Sequence, residues 1–328
     1  MTEGEKMQPL VIVADIGGTN TRVALADGKV VRQASVAKYR NAEHPNLESV
    51  LTHYLAAQGL QKVDGICVAA AGPVSNDVAE MTNIDWTITC PNIAAATGAT
   101  SVAILNDLQA QGQALGSIAD DHLHTVVDGP VKIGGTMLVV GLGTGVNAAA
   151  VHNTPWGRIV APSECGHITM PVRTPEDLAL SQFTETYGAD AHGFTGVEDV
   201  LAGRGIEHIH AFVTHTAGVP VHLTSAQIMA AITARDPMAL ETARHYVRIL
   251  GQELGNLAMI HLPYGGIFLI GGMSRAMAPM FAEMGLSAHF HDKGRMSHIV
   301  RDCAITIVAD DYAALTGCAV YLANGGIG

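Results

Sequence analysis

Leu10-Val11-Ile12-Val13-Ala14-Asp15-Ile16-Gly17-Gly18-Thr19-Asn20-Thr21-Arg22-Val23-Ala24-Leu25-Ala26-Asp27-Gly28 is the stretch that decides the fold. Its first seven residues form an apolar run of strand length. Gly17 to Asn20 interrupt it, residues 21–26 are rich in β formers, and Asp27-Gly28 is a strong hairpin signal leading into residues 30–36. Three consecutive antiparallel strands are therefore expected to open the chain.

Further along, the same unit returns. Residues 137–140 are apolar, Gly141-Leu142-Gly143-Thr144-Gly145 is a glycine-rich turn, and residues 146–152 read as a returning strand. Recurrence of strand, glycine-threonine turn and strand suggests a duplicated, two-lobed architecture. Between the two units the pattern predicts a helix over 45–58, buried strands at 65–70 and 102–105, a helix over 108–115, and a loop near 117–128. Beyond them it predicts helices over 174–187, 197–201, 206–214, 225–233 and 237–262, with Pro237 at a start and Pro263 just past an end. Strands at 267–270 and 305–308 and helices over 274–284 and 312–322 complete an α/β pattern.

The 328 residues leave room for one large domain or two ordinary ones. Hydrophobic residues at 48% against 15% charged exclude intrinsic disorder. A net charge of −12 argues against a nucleic-acid binder or an anionic-membrane binder. No stretch approaches the roughly 18–20 apolar residues of a membrane span. The acidic start and the apolar run broken at Asp15 do not read as a signal peptide. Cys67, Cys90, Cys165, Cys303 and Cys318 are dispersed without short spacings. Reduced cytoplasmic thiols are expected, rather than disulfides or a zinc site.

Five segments carry candidate chemistry. In Asp15-Ile16-Gly17-Gly18-Thr19-Asn20, consecutive backbone N–H groups can curl around an anion, with Asp15 placed to face magnesium or its water shell; an ordinary β-turn is the plain alternative. Gly141 to Gly145 is not a Walker A loop, since no Gly-Lys-Ser/Thr follows, and it opens a strand where a dinucleotide fingerprint would open a helix. Two such turns, one per lobe, can hold one polyphosphate. Asp107 after Leu105-Asn106 is either a general base for a substrate hydroxyl or part of a helix cap. Glu164 and His167 suit vicinal sugar hydroxyls as well as a metal, and Glu198 alone reads as a first-turn helix carboxylate. Gly271-Gly272 enters a helix after a buried strand, as a tight turn or as a seat for a flat ring or ribose.

Together these residues resemble the bacterial ATP-dependent glucokinases of the non-zinc type, within the actin-like (ribonuclease-H-like) sugar kinases. The likeness spans nearly the whole chain: Ala14 to Asn20, Met81-Thr82-Asn83 with Trp86, Asn106-Asp107, Gly143-Thr144-Gly145, Glu164 with Gly166-His167, Val200-Leu201 with Gly203, Gly265-Gly266, Gly271-Gly272, and Asp292-Lys293-Gly294-Arg295. It implies a two-lobed α/β fold, each lobe a mixed sheet flanked by helices, with a cleft between them. The implied division is a small lobe of residues 1–115 completed by the C-terminal helix within 309–328, and a larger lobe of 116–308.

The resemblance also implies roles. Asp107 matches the base that takes the proton from the sugar 6-hydroxyl, while Asn106, Asp107, Glu164, His167 and Glu198 match the sugar ligands. Ala14, Asp15, Ile16, Gly17, Gly18 and Thr19 match the first phosphate site, with Asp15 toward magnesium through water. Gly143, Thr144 and Gly145 match the second phosphate turn, and Gly271 and Gly272 the adenosine side. Glucose and ATP are the implied substrates, glucose 6-phosphate the product at the first step of glycolysis, and a cytoplasmic homodimer the implied form. Three segments depart from the family pattern. Val146-Asn147-Ala148 stands for Gly-Leu-Gly, Ser163-Glu164-Cys165-Gly166-His167 stands for Gly-Glu-Gly-Gly-His, and Ala70-Ala71-Gly72-Pro73 differs around its Gly/Pro turn. A kinase for another hexose or amino sugar is the alternative. So is a non-catalytic sugar-sensing regulator, although the short stretch ahead of Asp15 leads us to expect no helix-turn-helix.

Overall fold

The computed structural model describes residues 9–81, 84–188 and 191–326, so Thr82 and Asn83 of the Met81-Thr82-Asn83 motif lie outside it. The described residues divide into two units. One holds the chain up to Asp120, Asn153–Ala161 and everything from Asp310 on; the other holds Asp121–His152 and Pro162–Ala309.

In the first unit β1 (Leu10–Ile16) and β2 (Asn20–Asp27) form the expected hairpin, with Leu10 opposite Asp27 and Ile16 opposite Thr21. The third strand, expected over 30–36, is broken. β3 (Val30–Val31) is followed by a single turn, Gln33–Ser35, and pairing with β2 resumes at β4 (Ala37–Arg40). The cause is Ser35. Its buried hydroxyl accepts from the Leu25 N–H (2.9 Å) and donates to the Arg32 carbonyl (2.6 Å), so a side chain occupies a position a strand partner would fill. β5 (Gly65–Ala70) runs parallel to β1, and a small sheet of β6 (Val74–Ser75), β7 (Val78–Glu80) and β8 (Thr87–Thr89) follows. β9 (Ser101–Asn106) then runs parallel to β5. The main sheet has the order β3-β2-β1-β5-β9, with β4 on β2.

Period-two alternation accounts for the apolar run of β1. Ile12, Ala14 and Ile16 pack with Leu47, Val50, Leu51 and Tyr54 of the helix Leu47–Ala57 on one face. Val11 and Val13 pack with Ala314, Leu315 and Cys318 of the C-terminal helix Ala313–Ala323 on the other. A sheet covered on both faces reads as continuous hydrophobicity.

The second six-stranded sheet repeats this plan. Its strands are β10 (Leu123–Val127), β11 (Met137–Leu142), β12 (Val146–Thr154), β13 (Gly157–Pro162), β14 (Ile267–Ile270) and β15 (Ile305–Val308), in the order β10-β15-β14-β11-β12-β13. β11 and β12 are a hairpin with Leu142 opposite Val146, and β14 and β15 continue parallel to β11. The recurrence in the sequence is thus a recurrence of topology: a glycine-turn hairpin extended by two parallel strands. β10 falls where a loop was expected. It is a polar edge strand on β15, with a register shift between Thr125 and Val127 that hides its alternation. The helix Pro237–His261 is the spine of the second unit: Tyr246, Leu250, Leu254 and Leu257 are buried, and the Tyr246 hydroxyl donates to the Leu201 carbonyl at 2.8 Å. The helices expected over 45–58 and 174–187 are shorter, at Leu47–Ala57 and Pro175–Thr184, and the one expected over 274–284 is shifted toward the N-terminus, at Gly272–Phe281. Among the described residues no helix is long and apolar enough to cross a membrane.

In the first unit, the C-terminal helix lies against the helix Asp107–Ala114 through small residues. A Cβ added at Gly317 would stand 1.7 Å from the Ala110 carbonyl oxygen. Gly317→Ala is therefore expected to destabilise the protein by about 1–3 kcal/mol and to displace the helix that begins at Asp107. A thermal melt matching the wild type would contradict this close packing.

Candidate active site

Three parallel strands of the first unit end level with one another. Ile16 sits beside Ala70, and Ala70 beside Asn106. Carboxyl ends of parallel strands are where α/β sheets hold ligands, and Asp15, Asn106 and Asp107 all lie there. Asn106 is the helix cap. Its Oδ1 accepts from the Leu108 N–H (2.9 Å), its own N–H donates to Gln109 Oε1 (3.0 Å), and its Nδ2 donates to the Gly72 carbonyl (3.0 Å). Gly72 has no room for a side chain, since a Cβ would meet the Glu80 carbonyl oxygen at 2.6 Å. The capping role therefore belongs to Asn106.

Asp107 follows as the first helical residue. Its Oδ1 accepts from the Leu108 N–H at 2.9 Å. Burial drives its carboxyl up to about 6; the Leu108 N–H opposes the rise and the charge of Asp15 adds to it. Burial also raises Asp15, outweighing Arg22, whose Nη1 lies 3.3 Å away. Asp15 and Arg22 face each other across the β1–β2 hairpin.

The turn at Gly17 to Asn20 is closed by Gly17 N–H to the Asn20 carbonyl (3.0 Å). Asn41, buried and not anticipated from the sequence, braces it. Asn41 Nδ2 donates to the Gly17 carbonyl (2.7 Å), its N–H donates to the Thr19 carbonyl (3.0 Å), and its Oδ1 accepts from the Thr21 hydroxyl (2.8 Å). Neither Gly17 nor Gly18 has a positive φ. A Cβ on Gly17 would make only an ordinary contact, 3.6 Å to the Asn20 carbonyl oxygen. Glycine at this position leaves the turn bare rather than meeting a conformational demand.

In the second unit the candidate residues gather around the start of β12. Gly143 N–H donates to the Gly145 carbonyl (3.0 Å), and Gly203 N–H donates to the Gly143 carbonyl (2.8 Å). Glu198 Oε2 accepts from the Val146 N–H (3.0 Å), and its Oε1 accepts from Arg204 Nη2 (2.7 Å). Glu164 Oε2 accepts from Asn147 Nδ2 at 3.0 Å. Gly166 is packed beneath them: a Cβ there would stand 2.0 Å from the Val146 carbonyl oxygen. His167 and Thr144 are exposed. Gly271 has φ +96°, and a Cβ on it would meet the Leu142 carbonyl oxygen at 2.3 Å, so the turn before Gly272 abuts the strand that leads to Gly143. Cys165, beside Glu164, is buried, and burial pushes its thiol up to about 11, which leaves it unreactive. Asn147, Arg204 and Arg22 were not singled out as site residues from the sequence. Only Arg22 carried a signal, because the turn centre fixes which residue lies opposite Asp15.

Two sheets built on one plan, each with a glycine turn closing its hairpin, are the architecture of the two-lobed, actin-like α/β sugar kinases. Within that class, a glucokinase from an Antarctic psychrotroph matches with a TM-score of 0.86 at 28% identity, over 96% of this chain and 99% of its own. The glucokinase of Brucella abortus biovar 1 (strain 9-941) is 29% identical over 317 residues, 95% of this chain and 90% of its own. A ROK family glucokinase from Streptomyces griseus, in complex with glucose and AMPPNP, shares the fold with a TM-score of 0.62 at 19% identity, over 94% of this chain and 98% of its own. The glucokinase family model matches residues 12–325, and the chain belongs to that family.

The raised carboxyl of Asp107 has a consequence for stability. The folded protein binds that proton more tightly than the unfolded chain, so stability falls as pH rises from about 4 through about 6. At pH 8 the ionised group costs about 3 kcal/mol. Asp107→Asn keeps an oxygen for the Leu108 N–H and removes the charge. It is expected to melt about 2–6 °C above the wild type at pH 8, with the difference shrinking toward pH 5. A lower melting temperature at pH 8 would contradict the burial argument.

Proposed function

We infer that Asp107 is the general base in the ATP-dependent phosphorylation of glucose that characterises the glucokinase family. The observation that carries this reading is the pair of residues at the end of β9: Asn106 caps the helix and ties it to Gly72, and the neighbouring Asp107 carboxyl, whose Oδ1 shares the Leu108 N–H, is lifted by burial to about 6. A sugar hydroxyl is a very weak acid. A base with a carboxyl near 6 is ionised at neutral pH yet binds a proton more strongly than a surface aspartate. Asp107 takes the proton of the 6-hydroxyl as the O6–phosphorus bond forms. The bond from the γ-phosphorus to its bridging oxygen breaks, and ADP leaves with glucose 6-phosphate formed.

Phosphoryl transfer needs positioning and charge stabilisation more than covalent help. In the turns at Gly17-Gly18-Thr19 and Gly143-Thr144-Gly145 the first glycine N–H closes each turn, the N–H groups of Gly18, Thr19, Thr144 and Gly145 are offered to phosphate oxygens, and Gly271-Gly272 takes the adenosine. Asn106, Glu164, His167 and Glu198 hold the sugar hydroxyls, two of them as carboxylates already oriented by hydrogen bonds. Magnesium fits Asp15, because a carboxylate disfavoured by burial and opposed only by Arg22 is relieved by a nearby dication, and magnesium commonly takes one or two carboxylates plus phosphate oxygens and water. When bound, it neutralises charge on the phosphoryl oxygens. Cytoplasmic residence, a place at the start of glycolysis and assembly as a homodimer belong to the same reading.

The test is ADP release over a panel of hexoses and amino sugars, with and without magnesium. Glucose is expected to be the best substrate. Asp107→Asn and Asp107→Ala are expected to lower kcat by about 10²–10⁴-fold while glucose still binds. For the wild type, kcat/KM is expected to fall about tenfold per pH unit below about pH 6, where the base is protonated. Near-normal turnover in both variants would remove Asp107 from this role.

A further inference from the structure

We propose that Asn147 is a positioning residue that aims the Glu164 carboxylate at the sugar and thereby sets selectivity among hexose epimers; this rests on the reading of Glu164 as a sugar ligand. Glu164 is exposed on a short segment, and the Asn147 amide is the one side-chain hydrogen bond its carboxylate makes among the described residues. Three rotatable bonds would otherwise leave that carboxylate free to wander. Asn147 itself is held firmly. Its Oδ1 accepts from the backbone N–H of Ala148 (2.8 Å) and of Cys165 (3.2 Å), and lies 3.3 Å from the Ser163 hydroxyl. Two main-chain donors converging on one atom fix that atom as the oxygen, so the amide nitrogen must face Glu164. It takes Oε2 and leaves Oε1 to accept a substrate hydroxyl.

The preceding residue does the same for the other carboxylate, since the Val146 N–H holds Glu198 Oε2 at 3.0 Å. Consecutive positions on one strand therefore set the directions of both carboxylates. Hexose epimers differ in the direction of one hydroxyl, so discrimination between them needs acceptors that cannot follow the wrong one. A site built to hydrogen-bond a hydroxyl discriminates far more sharply than an apolar one.

Asn147→Asp separates positioning from scaffolding. It retains an oxygen for the Ala148 and Cys165 N–H groups but replaces the donor facing Glu164 with a like charge. Steady-state kinetics of the full chain with glucose, mannose, galactose and ATP are compared for wild type, Asn147→Asp, Asn147→Ala, Glu164→Ala and the Asn147→Ala/Glu164→Ala double variant, with melting curves alongside. Loss of a hydrogen bond to a charged group predicts a rise in glucose KM of about 10–100-fold in Asn147→Asp, with kcat and the KM for ATP near wild type and a reduced preference for glucose over its epimers. Asn147→Ala is expected to add nothing to Glu164→Ala in the double variant. A normal glucose KM in Asn147→Asp, alongside a raised one in Glu164→Ala, overturns the positioning role and leaves the sugar-ligand reading intact. A normal glucose KM in Glu164→Ala overturns that reading and the proposal with it. Should Asn147→Asp fail to fold, the double variant decides: additive effects overturn the proposal and non-additive effects support it.

Discussion

A partly buried carboxylate at the first turn of a helix is the constraint around which the first unit is arranged. A helix N-terminus would ordinarily favour an ionised aspartate, yet burial of Asp107 wins and its carboxyl rises to about 6. Such an arrangement persists only if the surroundings cannot relax to rehydrate the group. The neighbours explain why they do not. Asn106 satisfies the helix end and ties it to Gly72, whose backbone is pressed against Glu80. Gly317 lets the C-terminal helix lie directly on the Ala110 carbonyl. The helix is thus pinned at its start and along its side, and the chain's last helix helps to fix the position of a carboxylate some 200 positions earlier.

Much of this was legible in the sequence because the signals were local. The apolar runs of β1, β5, β11 and β14, the glycine turns and the proline-bounded helix at 237 each follow from a few adjacent residues. Recurrence of the glycine-threonine hairpin disclosed the duplicated plan of the two sheets. What escaped was carried by side chains that act across distance. Ser35 breaks a strand by bonding to Leu25, and Asn41 braces a turn more than twenty residues away. β10 was lost to a register shift on a polar edge.

The site was legible to a different degree. Asp107 and Glu164 stood out by their place after a strand and in a turn and by family resemblance, and Glu198 by resemblance alone, but their supports did not. Arg204 reaches back to Glu198 around the join of two helices, a relation no periodicity encodes. Asn147, Ser163 and Cys165 registered only as departures from the family pattern, three separate oddities in a linear reading. In space they are one hydrogen-bonded cluster around Glu164.

Asp107 on one side and Glu164 and Glu198 on the other are held by opposite means, and on the proposed roles the difference follows from what each would have to do. A general base needs proton affinity, which burial supplies by disfavouring the charged form, and Asp107 is held in that way. A hydroxyl acceptor needs charge and direction, and burial would weaken the first. Glu164 stays at the surface and Glu198 keeps Arg204 beside it. Both take their direction from N–H donors on the first two residues of β12. Strand β12 begins directly after Gly143-Thr144-Gly145, so the backbone that orients the two acceptors is continuous with the turn assigned to the phosphates. A shift of that turn would move both glutamates together, so on the proposed roles the glycine-lined join, with Gly166 pressed on Val146 and Gly271 on Leu142, would tie sugar recognition to nucleotide binding.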